Sequence, residues 1–312
     1  MNRSRLADLS LLAVALMWGC TFLIVQHAVH ALPPLMFNAV RFIGASVLLA
    51  MIITLFYRKQ WLNISWRMAG HGLLLGLLLF AGYGLQTMGL LYTTTSNAGF
   101  ITGLSVILVP FLSMFLFRSK LSKSIWISAA LAAAGLYLLT FSSGGMSLGK
   151  GDALILLCAI AFALHIGFTG VFAPRYPALP LAALQLGATG LFSLAASLAF
   201  EATGSAGELT HTILLPKVFY ALLISIGPTS AFAFWIQTVA QQHTTPARVA
   251  VIFAMEPVFA AATGVIFAGE QLGWIALLGC ASILAGILLS ELNPGETSRQ
   301  SPRSTKLQET SS

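Results

Sequence analysis

The sequence predicts an all-α integral membrane protein, with ten transmembrane helices arranged as two inverted five-helix repeats. Three observations carry that prediction. Of 312 residues, 57% are hydrophobic and only 8% charged, against roughly 25% charged in an average soluble domain. The apolar residues gather into ten runs, each near the ~20 residues that cross a ~30 Å hydrocarbon core. Finally, the chain matches itself. At an offset of 144, Asp8, Leu12, Trp18 and Arg41 fall on Asp152, Leu156, Phe162 and Gln185; at 151, Gln86-Thr87 falls on Gln237-Thr238 and Ala134-Gly135 on Ala285-Gly286. The drift fits in the polar stretch 201–216. Five spans is an odd number, so the second copy re-enters the bilayer from the other side, as in transporters built on inverted repeats.

The spans fall at about 8–28, 34–57, 68–92, 96–117, 123–141, 152–173, 179–200, 217–240, 246–268 and 272–291. They define a first repeat at 7–141, a second at 152–291 and a tail at 293–312. With the N-terminus inside, thirteen of the sixteen Lys/Arg lie on the cytoplasmic side, Lys150 and Lys217 lie outside, and Arg41 alone lies within a span. The positive-inside rule then places both termini in the cytoplasm. A net charge of +7 distributed in this way is a membrane signal, not a nucleic-acid footprint.

The first span follows a basic start, Arg3 and Arg5, and runs on through Val25 with no small-residue cleavage site, so an uncleaved span is expected. Trp18 is ten residues into it, which favours the interior over the interfacial belt. Arg41 lies about six residues, or roughly 9 Å, into the second span. Either its stem snorkels to the outer interface, or it faces a cavity as the one fixed positive charge available to a carboxylate. In the third span Tyr83 and Gln86 share a helix face. The fourth opens on Thr93-Thr94-Thr95-Ser96-Asn97, an ordinary helix start, and the fifth carries Ala130, Ala134 and Gly135, a small-residue face for a scaffold or a dimer.

In the sixth span Phe162 answers Trp18, and His165 answers Thr21. A neutral His bonded to a neighbouring helix and a substrate or proton contact are the two readings. The eighth repeats the aromatic–Gln spacing as Phe234 and Gln237, with Trp235 between them; the Gln pair reads as a shared cavity or as interhelical bonding. In the ninth, Glu256 is nine residues past Ala247, roughly 13 Å deep. A charge there costs about 2.5–3.5 kcal/mol, so it needs a partner, a wet cavity or a proton. It is a proton-coupling candidate or a packing residue beside Pro257. Pro110, Pro228 and Pro257 free the carbonyls of Val106, Ile224 and Phe253 and are candidate hinges or static kinks. The tenth span repeats the small-residue face at Ala281, Ala285 and Gly286. The polar tail reads as disordered.

Cys20, Cys158 and Cys280 all lie inside spans, so neither a disulfide framework nor a metal cluster is expected. No phosphate loop or nucleophile–base motif occurs in the sequence.

The two five-span halves, Trp18-Gly19, Arg41 after Pro33-Pro34, Glu256-Pro257, and Gly269-Glu270 before Gly279 and Gly286, taken as an ordered set, resemble the EamA-type drug/metabolite transporters over about residues 7–290. One departure stands at Arg118-Ser119-Lys120, where the family usually ends its fourth span on a glutamate. The resemblance implies a bacterial inner-membrane carrier of amino acids, amines or other small metabolites, acting as a monomer or homodimer without a cofactor. It also implies a cavity lined by spans 1, 3, 4, 6, 8 and 9. Carried onto this chain, the cavity residues are Trp18, Thr21, Phe22, Tyr83, Gln86, Asn97, Phe162, His165, Trp235 and Gln237. Alternating access by one bundle rocking against the other is the expected mechanism, with export the expected direction. A membrane enzyme acting on lipid-linked substrates and a non-transporting partner subunit are the alternatives; the enzyme needs a polar cluster at one interface, whereas these candidates lie near midplane.

Overall fold

A computed structural model describes residues 3–93, 95–118, 121–141, 149–201, 205–268 and 273–291. The tail at 293–312 and the Gly269-Glu270 motif lie outside them. Among the described residues the structure is helical throughout, with no strand. Seven helices are long and apolar enough to cross a membrane, and the apolar stretches at 123–139 and 274–290 are shorter. This follows from the backbone: within hydrocarbon every N–H and C=O must be satisfied inside the segment, which helices do.

Helices α1 (Arg3–Val29), α2 (Pro34–Phe56) and α3 (Trp66–Gly89) open the chain. Their turns carry the expected starts: Pro34 opens α2, where its missing N–H costs nothing, and the Ser65 hydroxyl accepts from Met68 N to cap α3. The fourth apolar run is broken into α4 (Thr95–Gly103) and α5 (Ser105–Phe117), and α6 (Lys123–Phe141) completes the first half. The second half holds α7 (Lys150–Phe172), α8 (Ala178–Phe200), a short amphipathic α9 (Ala206–Leu214), α10 (Pro216–Ile226) and α11 (Ala233–Ala240). It ends with α12 (Pro246–Phe253), α13 (Glu256–Ala268) and α14 (Trp274–Glu291). The loop that absorbs the offset drift therefore contains a helix of its own, closed by a capping box between Ser205 and Glu208.

The dense pairs are α6 with α14, α2 with α8, and α3 with α7 and α8, followed by α1 with α13 and α11 and α5 with α7. Exchange of the two halves maps α6–α14 and α2–α8 onto themselves, α3–α7 onto α11–α1, and α1–α13 onto α7–α5. Glycine makes the α6–α14 crossing possible. A Cβ on Gly135 would lie 2.5 Å from the Gly279 carbonyl oxygen, and one on Gly279 would lie 2.6 Å from that of Gly135. The small-residue face of the fifth and tenth spans is thus used inside the chain, as scaffold.

Both broken spans fail at equivalent places, at Leu104 between α4 and α5 and at Ala254-Met255 between α12 and α13. Neither break coincides with its candidate hinge. Leu104 N is shared between the carbonyls of Phe100 and Ile101, and Pro110 lies six residues further on, inside α5. Pro257 occupies the first turn of α13, where a missing donor is harmless; the break precedes it. Pro228 does lie at a distortion, the π-helical turn Gly227–Phe232 that joins α10 to α11.

Candidate functional site

Centrally among α1, α3, α4, α7, α11 and the α12–α13 break lies a cavity partly open to solvent. Its wall is mainly aromatic and aliphatic, with a few convergent polar groups, the usual constitution of a small-molecule site. Of the residues expected there, Trp18, Thr21, Tyr83, Gln86, Phe162, His165 and Gln237 line it, together with Arg41 and Glu256. The side chains of Phe22 and Asn97 lie outside the described residues. Trp235 is not among the lining residues: Phe234 lines the cavity, and the Trp235 ring lies 6.4 Å from that of Phe232. One residue is about 100° on a helix, and that rotation separates the two. Phe253 and Thr102 line the wall without having been singled out; Ser105, which matches Glu256 at the repeat offset of 151 and so marks a difference between the halves, lines it too.

The aromatic wall is one connected set. Trp18 meets Phe253 at 5.0 Å and Phe234 at 5.5 Å between centroids, and Tyr83 meets Phe42 and Phe162 at 4.9 Å. Tilted and edge-on arrangements at these distances are the favourable ones.

Arg41 does not snorkel. Its side chain is buried, with the guanidinium 4.8 Å from the Tyr83 ring centroid and 4.9 Å from that of Phe42. Nε donates to Ser230 Oγ at 2.7 Å, and Nη2 donates to the Thr229 carbonyl at 3.3 Å. The same carbonyl accepts from Trp18 Nε1 at 2.9 Å. Both acceptors belong to the π-turn, so a distortion between α10 and α11 seats a cation from α2. No carboxylate among the described residues lies within ion-pair distance of Arg41.

Glu256 faces Arg41 within the same cavity, in the first turn of α13. Among the described residues its carboxylate has neither a hydrogen-bond nor an ion-pair partner. Gly19 of α1 lies directly against it: a Cβ there would lie 2.5 Å from the Glu256 carbonyl oxygen.

The equivalent place in the second half is neutral, and its side chains bond mainly to one another, although Gln237 Oε1 is buried without a partner among the described residues. His165 Nε2 lies 2.9 Å from Gln185 Oε1, an acceptor, so that ring nitrogen carries the proton; Gln185 Nε2 in turn donates to Thr238 Oγ1 at 3.2 Å. Gln237 Nε2 donates to Gln241 Oε1, and Gln241 Nε2 donates to the Ile166 carbonyl. These bonds tie α7, α8 and α11 together.

At the end of the bundle where α1 begins, Asp8 and Arg248 form a buried ion pair, Nη2 to Oδ2 at 2.6 Å. At the opposite end, Thr93 Oγ1 donates to Asp152 Oδ1 at 2.5 Å, and Gly149 N donates to Asp152 Oδ2 at 2.8 Å. No group of three His, Cys, Asp or Glu suited to a metal occurs among the described residues.

Apolar helices around a mixed polar and aromatic cavity define a multi-pass membrane protein of the transporter class. The family model for EamA-like transporters matches this chain twice, at residues 5–141 and 149–292, and the chain belongs to that family. An uncharacterized transporter of Archaeoglobus fulgidus is 33% identical over 286 residues, covering 92% of this chain and 86% of its own length. YoaV of Bacillus subtilis, an uncharacterized transporter, is 28% identical over 290 residues, 90% of this chain and 95% of its own. The uncharacterized inner membrane transporter YedA of Escherichia coli is 29% identical over 291 residues, 91% and 90%. A crystal structure at 20% identity superposes with a TM-score of 0.75 over 92% of this chain and 96% of that one, a likeness of fold.

Proposed function

We propose that this chain is a secondary transporter that moves a small amphipathic metabolite, an amino acid, amine or similar solute, across the bacterial inner membrane by alternating access, as an exporter. In this reading ten spans form two inverted repeats, 7–141 and 152–291, with both termini and the tail in the cytoplasm. The observation that carries it is a cavity built from both halves that is lined by Arg41 and Glu256 without pairing them. Ionisable groups are expensive inside a membrane and mark solute or proton pathways. Support for the repeats comes from the contacts that survive exchange of the halves and from the breaks at Leu104 and Met255, which differ by the repeat offset. Broken spans of this kind line the binding sites of inverted-repeat carriers.

The aromatic wall fits an apolar body, and the separated charges fit a polar head. Metabolite profiling of cells with and without the protein selects solutes, and purified protein in liposomes then tests them. Movement of at least one solute is expected; turnover of a lipid substrate with no solute movement would replace the carrier with a membrane enzyme.

A further inference from the structure

We infer that Asp8 and Arg248 form the latch that closes the cavity toward the cytoplasm, and that Asp152 with Thr93 is its weaker counterpart at the other end. The inference rests on the alternating-access reading and adds to it which residues hold each side shut and which side is held more firmly.

The symmetry of the sequence leads to it. Asp8 and Asp152 are equivalent, each in the first turns of the helix that opens its repeat, α1 or α7. Each carboxylate reaches into the other half, to the connector that starts a broken span. Asp8 reaches Arg248, in the first turn of α12 behind the Thr245 cap. Asp152 reaches Thr93, two residues before α4. At the repeat offset Thr93 answers Thr244 and Asn97 answers Arg248. The carboxylate is therefore kept at both ends while its partner changes from a cation to a hydroxyl.

Packing around the two contacts differs in the same sense. Near Asp8, the Gln242 side chain donates to the carbonyls of both Ala173 and Tyr176, and a Cβ on Gly170 would lie 2.4 Å from Pro246. With Ala247 and Ala250 buried as well, α1, α7 and α12 seal this end. The cavity wall extends the other way, through Val25, Leu90 and Gly99. The side chains of Asp8 and Arg248 are 4% and 6% exposed, so separating them requires water to reach two charges that the closed bundle keeps dry, whereas parting Thr93 from Asp152, itself 4% exposed, bares one charge and a neutral hydroxyl. An ion pair of this kind biases a two-state element toward the state that contains it.

A cysteine reporter reads the latch without any substrate, so its outcome is separate from a failure to find a transported solute. In a background with Cys20, Cys158 and Cys280 replaced by Ala, Ala250→Cys is placed behind the latch, and labelling by a hydrophilic maleimide is timed on purified protein in nanodiscs. Asp8→Asn and Arg248→Gln are each expected to raise the labelling rate roughly tenfold, the population shift of a modest conformational bias. The exchange Asp8→Arg with Arg248→Asp restores slow labelling, and Thr93→Ala leaves it unchanged. Unchanged labelling in both single variants overturns the latch. So does fast labelling in the exchanged pair together with a lowered melting temperature, since that marks a loosened fold. Should either single variant fail to fold, Arg248→Lys serves in its place: it keeps the charge and is expected to label slowly.

Discussion

Arg41 and Gln185 occupy equivalent positions in the two halves, and the structure treats them in opposite ways. Gln185 closes a neutral chain, His165 to Gln185 to Thr238, in which every bond serves helix packing. Arg41 is seated by a hydroxyl, a carbonyl and two aromatic faces, none of which cancels its charge. The same scaffold therefore builds a rigid joint on one side and holds a cation beside the cavity on the other. Selectivity belongs where the halves disagree, and stability where they agree.

The largest expected effect breaks that agreement. Gly135→Leu drives a side chain into the Gly279 backbone at the α6–α14 crossing, and because the obstacle is backbone, the cost is expected to exceed the usual ~1–3 kcal/mol of overpacking. Thermal unfolding in detergent reads it as loss of folded protein. Next comes Arg41→Met, similar in length but uncharged: transport of an anion-bearing solute is expected to fall about 100-fold, in the range for truncating one partner of a buried charged contact, while melting changes little. Gln185→Leu should invert that pattern. It removes the Gln185 bonds to both residues, leaving His165 Nε2 only the longer contact with Thr169 and Thr238 only its bond to the Phe234 carbonyl, at about 1–3 kcal/mol, and should lower the melting temperature while transport by the remaining folded protein stays within a few-fold. Equal effects of the two substitutions on transport would remove the distinction between joint and charge.

Smaller changes sharpen the comparison. Ser230→Ala removes one of the bonds that seat Arg41, so an affinity loss of roughly fivefold is expected, about 1 kcal/mol, seen as a higher half-saturating solute concentration. Glu256→Gln keeps the shape of the cavity and removes the titrating group; the transport rate is expected to lose its dependence on pH. A pH profile identical to that of the unsubstituted protein would exclude Glu256 as the coupling group.

Much of this was legible before any coordinates. Hydropathy locates spans because the bilayer fixes their length, and the repeat puts Tyr83 with Gln86 and Phe162 with His165 on faces that do meet at the cavity. What escaped depends on rotation and on small departures from the α-helix. The π-turn at 227–232 could not be read from the sequence, and Phe234, three residues before Gln237 and on its face, lines the cavity where Trp235, two residues before it, does not. The break at Leu104 has no proline to announce it; a shared hydrogen bond after Gly103 makes it. Asp8 and Arg248 are 240 residues apart in sequence, and only the fold brings a carboxylate near the start of the chain against the ninth span.

The central claim is that the cavity shared by the two halves is a transport site and that Arg41 gives it its charge. The direct measurement is solute flux into liposomes containing the purified protein, run in parallel for the unsubstituted chain and Arg41→Met over a panel of solutes with and without a carboxylate. The account predicts flux of at least one carboxylate-bearing solute, lost in Arg41→Met while the variant melts as before. Equal flux in the two proteins for every solute moved would contradict it.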